Sequence, residues 1–587
     1  MSGDSMIYDM SQMTEGSPQV FVKRDWLNLQ DQNNGNYRGN QMVLDTSQLA
    51  NSNKYMAYRE AYLAVPILLT ATNGTGAGQN LMVDPSAAVS SADRFLGMKS
   101  WFGSLIHSIT LDYAGTTIIQ QTPLCSMWQQ FTLMTTLSLQ DVLLNGPTIG
   151  FYPDTSDSFS FVNGDSQEGP GVRNNFNAIA QPPVQGAFAR NAISNVGFTE
   201  RQKYLMYDPD AVAGSPYTTL QTATTLTQIY RGSIFNKTAA VIQTQSMAII
   251  RLKDIHPFFS QVPLLKGVFM RLTLNLNQPS VTVTVGAGPA LDLQLTSVDC
   301  PLGGVNPLMI AANTGLTTSL SNATLAQPGG LQGATLSNPL VTGQQMTYSL
   351  AVGNKCLNPS QVAVTGVVNG NLAQSIFLYV PAYTFNPTFE EAYLASPTKT
   401  IVYTDIYQFT TSEAGPTQSY NFLITNGIAN VKSVLVLPFF ANITEGAAAG
   451  VASTTPPYQS PFDPAGCGPT SPLTSQTNFN VVVAGQNMIY NTQKYSYEQY
   501  LNQLQGCNSV NANLVNGLTS SLVSQWDFEN SYQYYFVNTS RMLAVDEAVP
   551  KSVQLQGQNL STRTVKFVVF VEYGVQVSVD VLTGSRV

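Results

Sequence analysis

VKFVVFVEYGVQVSVDV, residues 565–581, decides the fold. Every odd position is apolar: Val565, Phe567, Val569, Val571, Tyr573, Val575, Val577, Val579 and Val581. The even positions carry Lys566, Glu572, Gly574, Gln576, Ser578 and Asp580, interrupted only by Val568 and Phe570. Alternation with period two belongs to a strand with one face on a core and the other mostly wet. A helix would scatter these valines around its circumference, and the stiff χ1 of valine suits a strand better. At roughly 3.3 Å per residue the run reaches about 56 Å, too long for an ordinary strand. Gly574 is therefore expected to mark a bend or bulge that divides it.

A second stretch of this kind, VFMRLTLNLNQPSVTVTV (residues 268–285), closes the first half of the chain. Val268, Met270, Leu272, Leu274 and Leu276 share a face, with Phe269, Arg271, Thr273, Asn275 and Asn277 opposite. The phase slips at Gln278-Pro279-Ser280, where proline cannot donate to a ladder. Two long closing strands predict two large β-domains in tandem, and 587 residues are too many for one hydrophobic core.

Hydrophobic residues make up 43 % of the chain but charged ones only 10 %, against roughly 25 % in an average soluble protein. So little charge does little to hold copies apart, and burial of much surface against partners is one reading; an ordinary β-protein with a neutral surface is the other. The net charge of −8, with no basic arm or arginine-rich tract, argues against direct capture of nucleic acid. No run of 18 apolar residues predicts a transmembrane helix, and the first residues lack the charged and apolar regions of a signal peptide. Synthesis without the secretory route is the expectation. Cys125, Cys300, Cys356, Cys467 and Cys507 are odd in number and widely spaced, fitting buried free thiols and neither a disulfide scaffold nor a metal site.

Residues 1–50 read as an arm with little core of its own, in which Val20, Phe21 and Val22 add one short strand. The first β-domain is expected over 51–295, with a strand over 61–70, a hairpin through Ala114-Gly115 and a helix face formed by Met127, Phe131 and Met134. A Gly-, Pro- and Asn-rich insertion occupies about 146–247, longer than any ordinary connection. The second domain is expected over 296–587, with the crossover somewhere at about 285–345. There, 375–394 and 400–409 read as strands around turns, 420–440 as a hairpin through Asn426-Gly427, and 495–506 as a helix with Tyr497, Tyr500, Leu501 and Leu504 on one face; Leu514, Leu518 and Leu522 form a further helix face. The fold class is all-β: two tandem β-sandwiches with short helices and long loop insertions, for which a jelly roll is one common way to arrange eight strands in two sheets.

Chemistry is sparse. His107 and His256 lie in no metal-binding spacing. No nucleophile elbow or phosphate-binding loop occurs, and GTGAG at 74–78 reads as a turn. Glu390-Glu391 form an acidic pair, but adjacent strand residues face opposite ways and cannot flank one bond. Tyr532, Tyr534, Tyr535 and Phe536 suit a sugar platform or a core, and no polar cluster accompanies them. No catalytic, cofactor-binding or metal-binding residue is assigned, and no cofactor.

Six stretches carry a resemblance: NSNKYMAYREAYLAVPILL (51–69), CSMWQQFTLMTTLSLQD (125–141), DIHPFFSQVPLLKGVFMRLTLNLN (254–277), GGVNPLMIA (303–311), LYVPAYTFNPTFEEAYL (378–394) and YYFVNTSRMLAVDEAVPKSVQLQGQNLS (534–561). In their order and spacing the chain resembles the double jelly-roll major capsid proteins of polinton-like viruses, virophages and adintoviruses. The resemblance implies two upright jelly rolls, a homotrimer forming a pseudo-hexagonal capsomer, and capsomers tiling an icosahedral virion shell. It implies neighbouring capsomers, penton and minor capsid proteins as partners, no enzyme activity and no sequence-specific nucleic-acid binding. Some relatives lose a C-terminal piece to a viral protease; with six residues after Val581, such processing is not expected here. The other readings weighed are a viral attachment or carbohydrate-binding β-sandwich, which needs a compact site on loops, and a glycoside hydrolase, which needs two convergent carboxylates.

Overall fold

The computed structural model describes residues 19–73, 96–154, 197, 200–201, 233–236, 241–285, 293–310, 345–353, 375–441, 456–461, 475–489, 495–505, 519–530, 532–539, 548–561, 563–583 and 585–586. The stretches 74–78 and 159–162, most of 146–247, and Cys356, Cys467, Cys507, Leu514 and Leu518 lie outside them.

The second half is a sandwich of two four-stranded antiparallel sheets. One sheet orders Thr398–Thr410, Val565–Asp580, Val431–Phe440 and Tyr535–Asn538; the other orders Ser419–Ile428, Lys551–Asn559, Gln476–Val483 and Gln486–Asn487. Numbered along the chain, the strands run first, eighth, third, sixth in one sheet and second, seventh, fourth, fifth in the other. That is a jelly roll. The closing strand lies between the first and third, paired without a break to the first from Thr398↔Asp580 to Thr410↔Val568. Gly574 therefore does not divide it. The irregularity sits on the neighbouring strand, between Val431 and Ser433. Gly574 supplies clearance instead, because a Cβ there would stand 2.3 Å from Asn430 Nδ2.

In the first half, strand Met270–Leu276 takes the same central place, between Gln41–Asp45 and Ile106–Tyr113, with Thr116–Ile119 beyond. Its alternation holds: Met270, Leu272, Leu274 and Leu276 are buried while Arg271 is exposed. The opposing sheet is larger and branched. Tyr62–Asn73 pairs with Val241–Arg251 along one edge and shares the other between Phe377–Phe385 and Gln345–Val352. Beyond these lie Phe21–Gln30 on one branch, and Ser280–Val285 with Leu293–Asp299 on the other.

This pairing moves the domain division. A boundary at 295/296 falls inside strand Leu293–Asp299, and the strands at 345–352 and 377–385 complete the first sheet; the second sandwich begins at Thr398. Tyr62–Asn73 is long enough to pair two strands end to end along one edge, a long-range match that local composition does not reveal. The first fifty residues are also more than an arm. Phe21–Gln30 forms a ten-residue strand in register with 377–385, and Gln41–Asp45 enters the other sheet.

Two local readings change as well. Strands Ser419–Ile428 and Val431–Phe440 lie in opposite sheets, so they form no hairpin, and the chain turns at Ala429-Asn430, where Asn430 has φ 53°. Asn426-Gly427 lies within the strand, at a register irregularity between Thr425 and Ile428. The segment 387–394 is a helix, not a strand: Asn386 caps it through Thr388 N and Pro387 occupies its first turn, where a missing N–H costs nothing. The expected helix face at Met127, Phe131 and Met134 is buried on helix Cys125–Thr136. Ala114-Gly115 forms the hairpin turn, both with positive φ. Helix Tyr497–Leu504 buries Tyr500 and Leu504 as expected, whereas Leu522 lies in a turn before helix Gln525–Asn530.

Candidate assembly surfaces

The two sandwiches share one continuous apolar core. Val568 and Phe570, even positions that alternation assigns to solvent, are 1 % and 0 % exposed. Helix Cys125–Thr136 of the first half packs on this sheet: Trp128 meets Phe570 at 6.1 Å, and Phe131 meets Tyr534 at 5.0 Å and Phe536 at 5.4 Å. The aromatic cluster at 532–536 is thus core packing at the seam rather than an exposed platform.

Polar contacts set the register of the seam. Thr122 Oγ1 donates to Ile406 O (2.9 Å) and Tyr403 O–H to Ile118 O (2.7 Å). His256 caps helix Pro257–Gln261 by accepting from Phe258 N at Nδ1, which leaves Nε2 to carry the proton and donate to Asp405 Oδ1 (3.2 Å). Asp405 also accepts from Ile406 N (2.8 Å) and the Tyr573 hydroxyl (3.1 Å). This buried carboxylate therefore meets donors from both halves. At a second point Arg201 pairs with Asp154, both buried, and donates to Met98 O and Tyr152 O at 2.6 Å, while Tyr532 O–H reaches Asp154 O (3.0 Å). At a third, buried Lys99 donates to Ser460 O (2.7 Å). The described piece 456–461, in a Gly-, Ala- and Pro-rich stretch, packs against the first half, where Asn306 Nδ2 donates to Gln459 O (3.0 Å). The Lys99 and Asn306 side chains hold its carbonyls, and Tyr458 packs its ring on Phe439 (5.8 Å).

The remaining sequence candidates take structural places. His107 is buried beside Gly304, and burial lowers its pKa. Cys125 and Cys300 are free thiols that burial pushes up to about 12. Glu390 accepts from the Tyr55 hydroxyl (2.9 Å) on the helix at 387–394. Among the described residues no group of three His, Cys, Asp or Glu is placed to hold a metal ion. No described helix is long and apolar enough to cross a membrane. An open cleft of about 650 Å³ is lined by Gln120 of the first half and by Tyr407, Ile428, Asn430, Tyr573 and small residues of the second, with no charged side chain.

The surface carries what sequence reading missed. Helix Leu139–Ile149 begins at a reciprocal Ser138–Asp141 capping box and ends at Gly150, whose φ of 67° and close approach to Phe102 (2.8 Å from a Cβ) admit only glycine. It buries Val142, Gly146 and Ile149 but exposes Leu139, Leu143 and Leu144 at 70, 61 and 67 %. Leu139 and Leu143 share one outer side of this helix, and Leu144 lies about 100° further round. The sequence shows only that all of them are apolar; which ones stay outside depends on how the helix docks.

No protein-family model matches this chain, and no curated protein does. Solved structures do. The chain is similar to the Sputnik virophage structure (11 % identity, TM-score 0.45, covering 98 % of this chain and 89 % of that one). It is similar to the mavirus major capsid protein (10 %, TM-score 0.45, 100 % and 94 %) and the Faustovirus major capsid protein (10 %, TM-score 0.41, 97 % and 94 %). Two of the three are named as major capsid proteins.

Proposed function

We propose that this chain is the major capsid protein of an icosahedral double-stranded DNA virus, forming homotrimeric capsomers of pseudo-hexagonal outline. The observation that carries the reading is the tandem pair: two β-sandwiches in one chain, each with a strand of alternating pattern (Met270–Leu276 and Val565–Asp580) central in a four-stranded sheet, fused through a buried seam. Three copies present six similar blocks, so a threefold object fills a sixfold lattice position. A fused seam keeps the blocks at a fixed spacing, which a lattice needs. Low charge and the exposed leucines at 139–144 suit dense packing against neighbours. In this reading the partners are neighbouring capsomers, penton proteins and minor capsid proteins, the role is structural, and the insertion at 146–247 builds the outer tower.

Sedimentation and electron microscopy of the protein expressed alone test it. The expected species is three times 63.4 kDa with a hexagonal outline in projection; a well-behaved monomer at micromolar concentration overturns the proposal. On intact particles, limited proteolysis should cut within 146–247 while 565–581 stays protected.

A further inference from the structure

Asn-Gly is the dipeptide most prone to lose its side-chain amide, because glycine has no side chain to obstruct attack by its own nitrogen on the asparagine Cγ. The chain contains seven such pairs, and the structure describes both residues of three: Asn34-Gly35, Asn145-Gly146 and Asn426-Gly427. The fold holds the first two. Asn34 and Gly35 sit in a turn with φ of 50° and 80°, Gly35 is buried, and Asn34 Oδ1 accepts from Gln30 Nε2 (3.3 Å). Asn145 and Gly146 lie inside helix Leu139–Ile149, Gly146 is buried, and Asn145 Oδ1 accepts from Arg251 (3.2 Å). The third pair is placed differently. Thr425 is in register with Val553 and Ile428 with Lys551, so Asn426 and Gly427 bulge opposite Ser552 alone. Both are exposed, and the Asn426 amide makes no hydrogen bond among the described residues. The Gly427 N–H reaches the Thr425 hydroxyl at 3.4 Å, a long bond.

We propose that Asn426 is a site of spontaneous deamidation in the folded protein, while Asn34 and Asn145 keep their amides. The Gly427 amide nitrogen gives its proton to solvent base and attacks Asn426 Cγ. The new N–Cγ bond closes a succinimide as the Cγ–Nδ2 bond breaks, and ammonia leaves with a proton. Water then adds to the ring. Opening at Cγ leaves aspartate; opening at the main-chain carbonyl leaves isoaspartate, whose backbone is one methylene longer. No oxidant or reductant takes part. Closing the ring requires the two residues to turn out of the extended conformation, and at the bulge neither has a partner in register to give up. The product puts a carboxylate beside Gly427, which lines the open cleft with Gln120, Tyr407, Asn430 and Tyr573, where no lining side chain is charged. The chemistry proceeds on a single chain and goes beyond the assembly role.

The test is incubation of the full chain at pH 8, followed by digestion and fragmentation mass spectrometry to locate each new acid, with an isoaspartate-specific methyltransferase to mark the longer backbone. Asn426 should convert at least about tenfold faster than Asn34 or Asn145, since each 1.4 kcal/mol or so needed to open the backbone around a protected pair slows it about tenfold. In urea the three rates should converge. Gly427→Ala is the matching variant: nothing stands within 4 Å of a Cβ there and the backbone is outside the left-handed region, so the melting temperature should hold. Its conversion should fall at least about tenfold, because the added methyl obstructs the attacking nitrogen. Conversion of Asn34 or Asn145 as fast as Asn426 in the folded protein overturns the assignment, as does an Asn426 that converts only in urea. The same ranking in urea overturns the role of the bulge, and an unchanged rate in Gly427→Ala overturns the succinimide step.

Discussion

His107 shows what burial does to one titratable side chain in a molecule with few of them. The imidazole is held below its ordinary 6.5 by desolvation, and a Cβ at Gly304 would stand 2.5 Å from its Nδ1. As the pH falls below 6.5, the unfolded chain takes up a proton there that the folded chain resists. The neutral ring's contribution to stability is therefore present above 6.5 and is lost as the pH drops toward the depressed folded value. His107→Gln, neutral throughout, should flatten that loss, whose limiting slope is about 1.4 kcal/mol per pH unit for one proton. Urea midpoints at pH 7 and pH 5 measure it; an equal fall in wild type and variant would count against the assignment. Cys125 follows the same logic in the other direction. With its thiol pushed up to about 12 and buried, it should resist alkylation at pH 8 until the protein unfolds, as peptide mass analysis can show.

At the scale of elements, helix Cys125–Thr136 belongs to the first half by sequence and serves both by packing. Its inner residues reach the strands at 535–538 and 565–580, so removing one contact should weaken both sandwiches together. Phe131→Ala should cost about 3–5 kcal/mol, the range for deleting a fully buried aromatic. Ser138→Ala, which removes only an exposed cap on the next helix, should cost about 1 kcal/mol. Denaturant melts followed by tryptophan fluorescence and by far-ultraviolet circular dichroism should shift together for Phe131→Ala. Separate transitions would show that the seam does not couple the halves.

For the whole molecule, the seam sets what can fold alone. A fragment covering 398–583 keeps the eight described strands of the second jelly roll but loses the Trp128 and Phe131 contacts on Phe570, Tyr534 and Phe536. That leaves an apolar patch on a sheet face, and the fragment should aggregate or bind a hydrophobic dye unless it is expressed together with residues 1–397. A soluble fragment with a cooperative melt and no dye binding would contradict the shared-core description. The exposed Leu139, Leu143 and Leu144 make a matching expectation on the outside: replacing them with glutamine should leave the melting temperature within a degree or two, since they are solvated already in the single chain.

The sequence alone determined the all-β class, the two alternating strands at 270–276 and 565–580 and the helix face at Met127, Phe131 and Met134, because alternation and helical spacing are local properties that a strand or helix carries with it. The strand geometry assumed for Glu390-Glu391 does not hold, because they lie on helix Pro387–Leu394. Tertiary structure alone decided the rest. Phe570 looks like a lapse in alternation until Trp128, more than four hundred positions earlier, packs on it. Gly574 looks like a break until Asn430 is seen to need its space. Asn426-Gly427 reads as a hairpin turn, yet its flanking strands go to opposite sheets, and strands at 345–352 and 377–385 join the first sheet across any boundary drawn from composition. In each case the deciding contact joins segments far apart in the chain, and a local pattern carries no record of which distant surface will cover it.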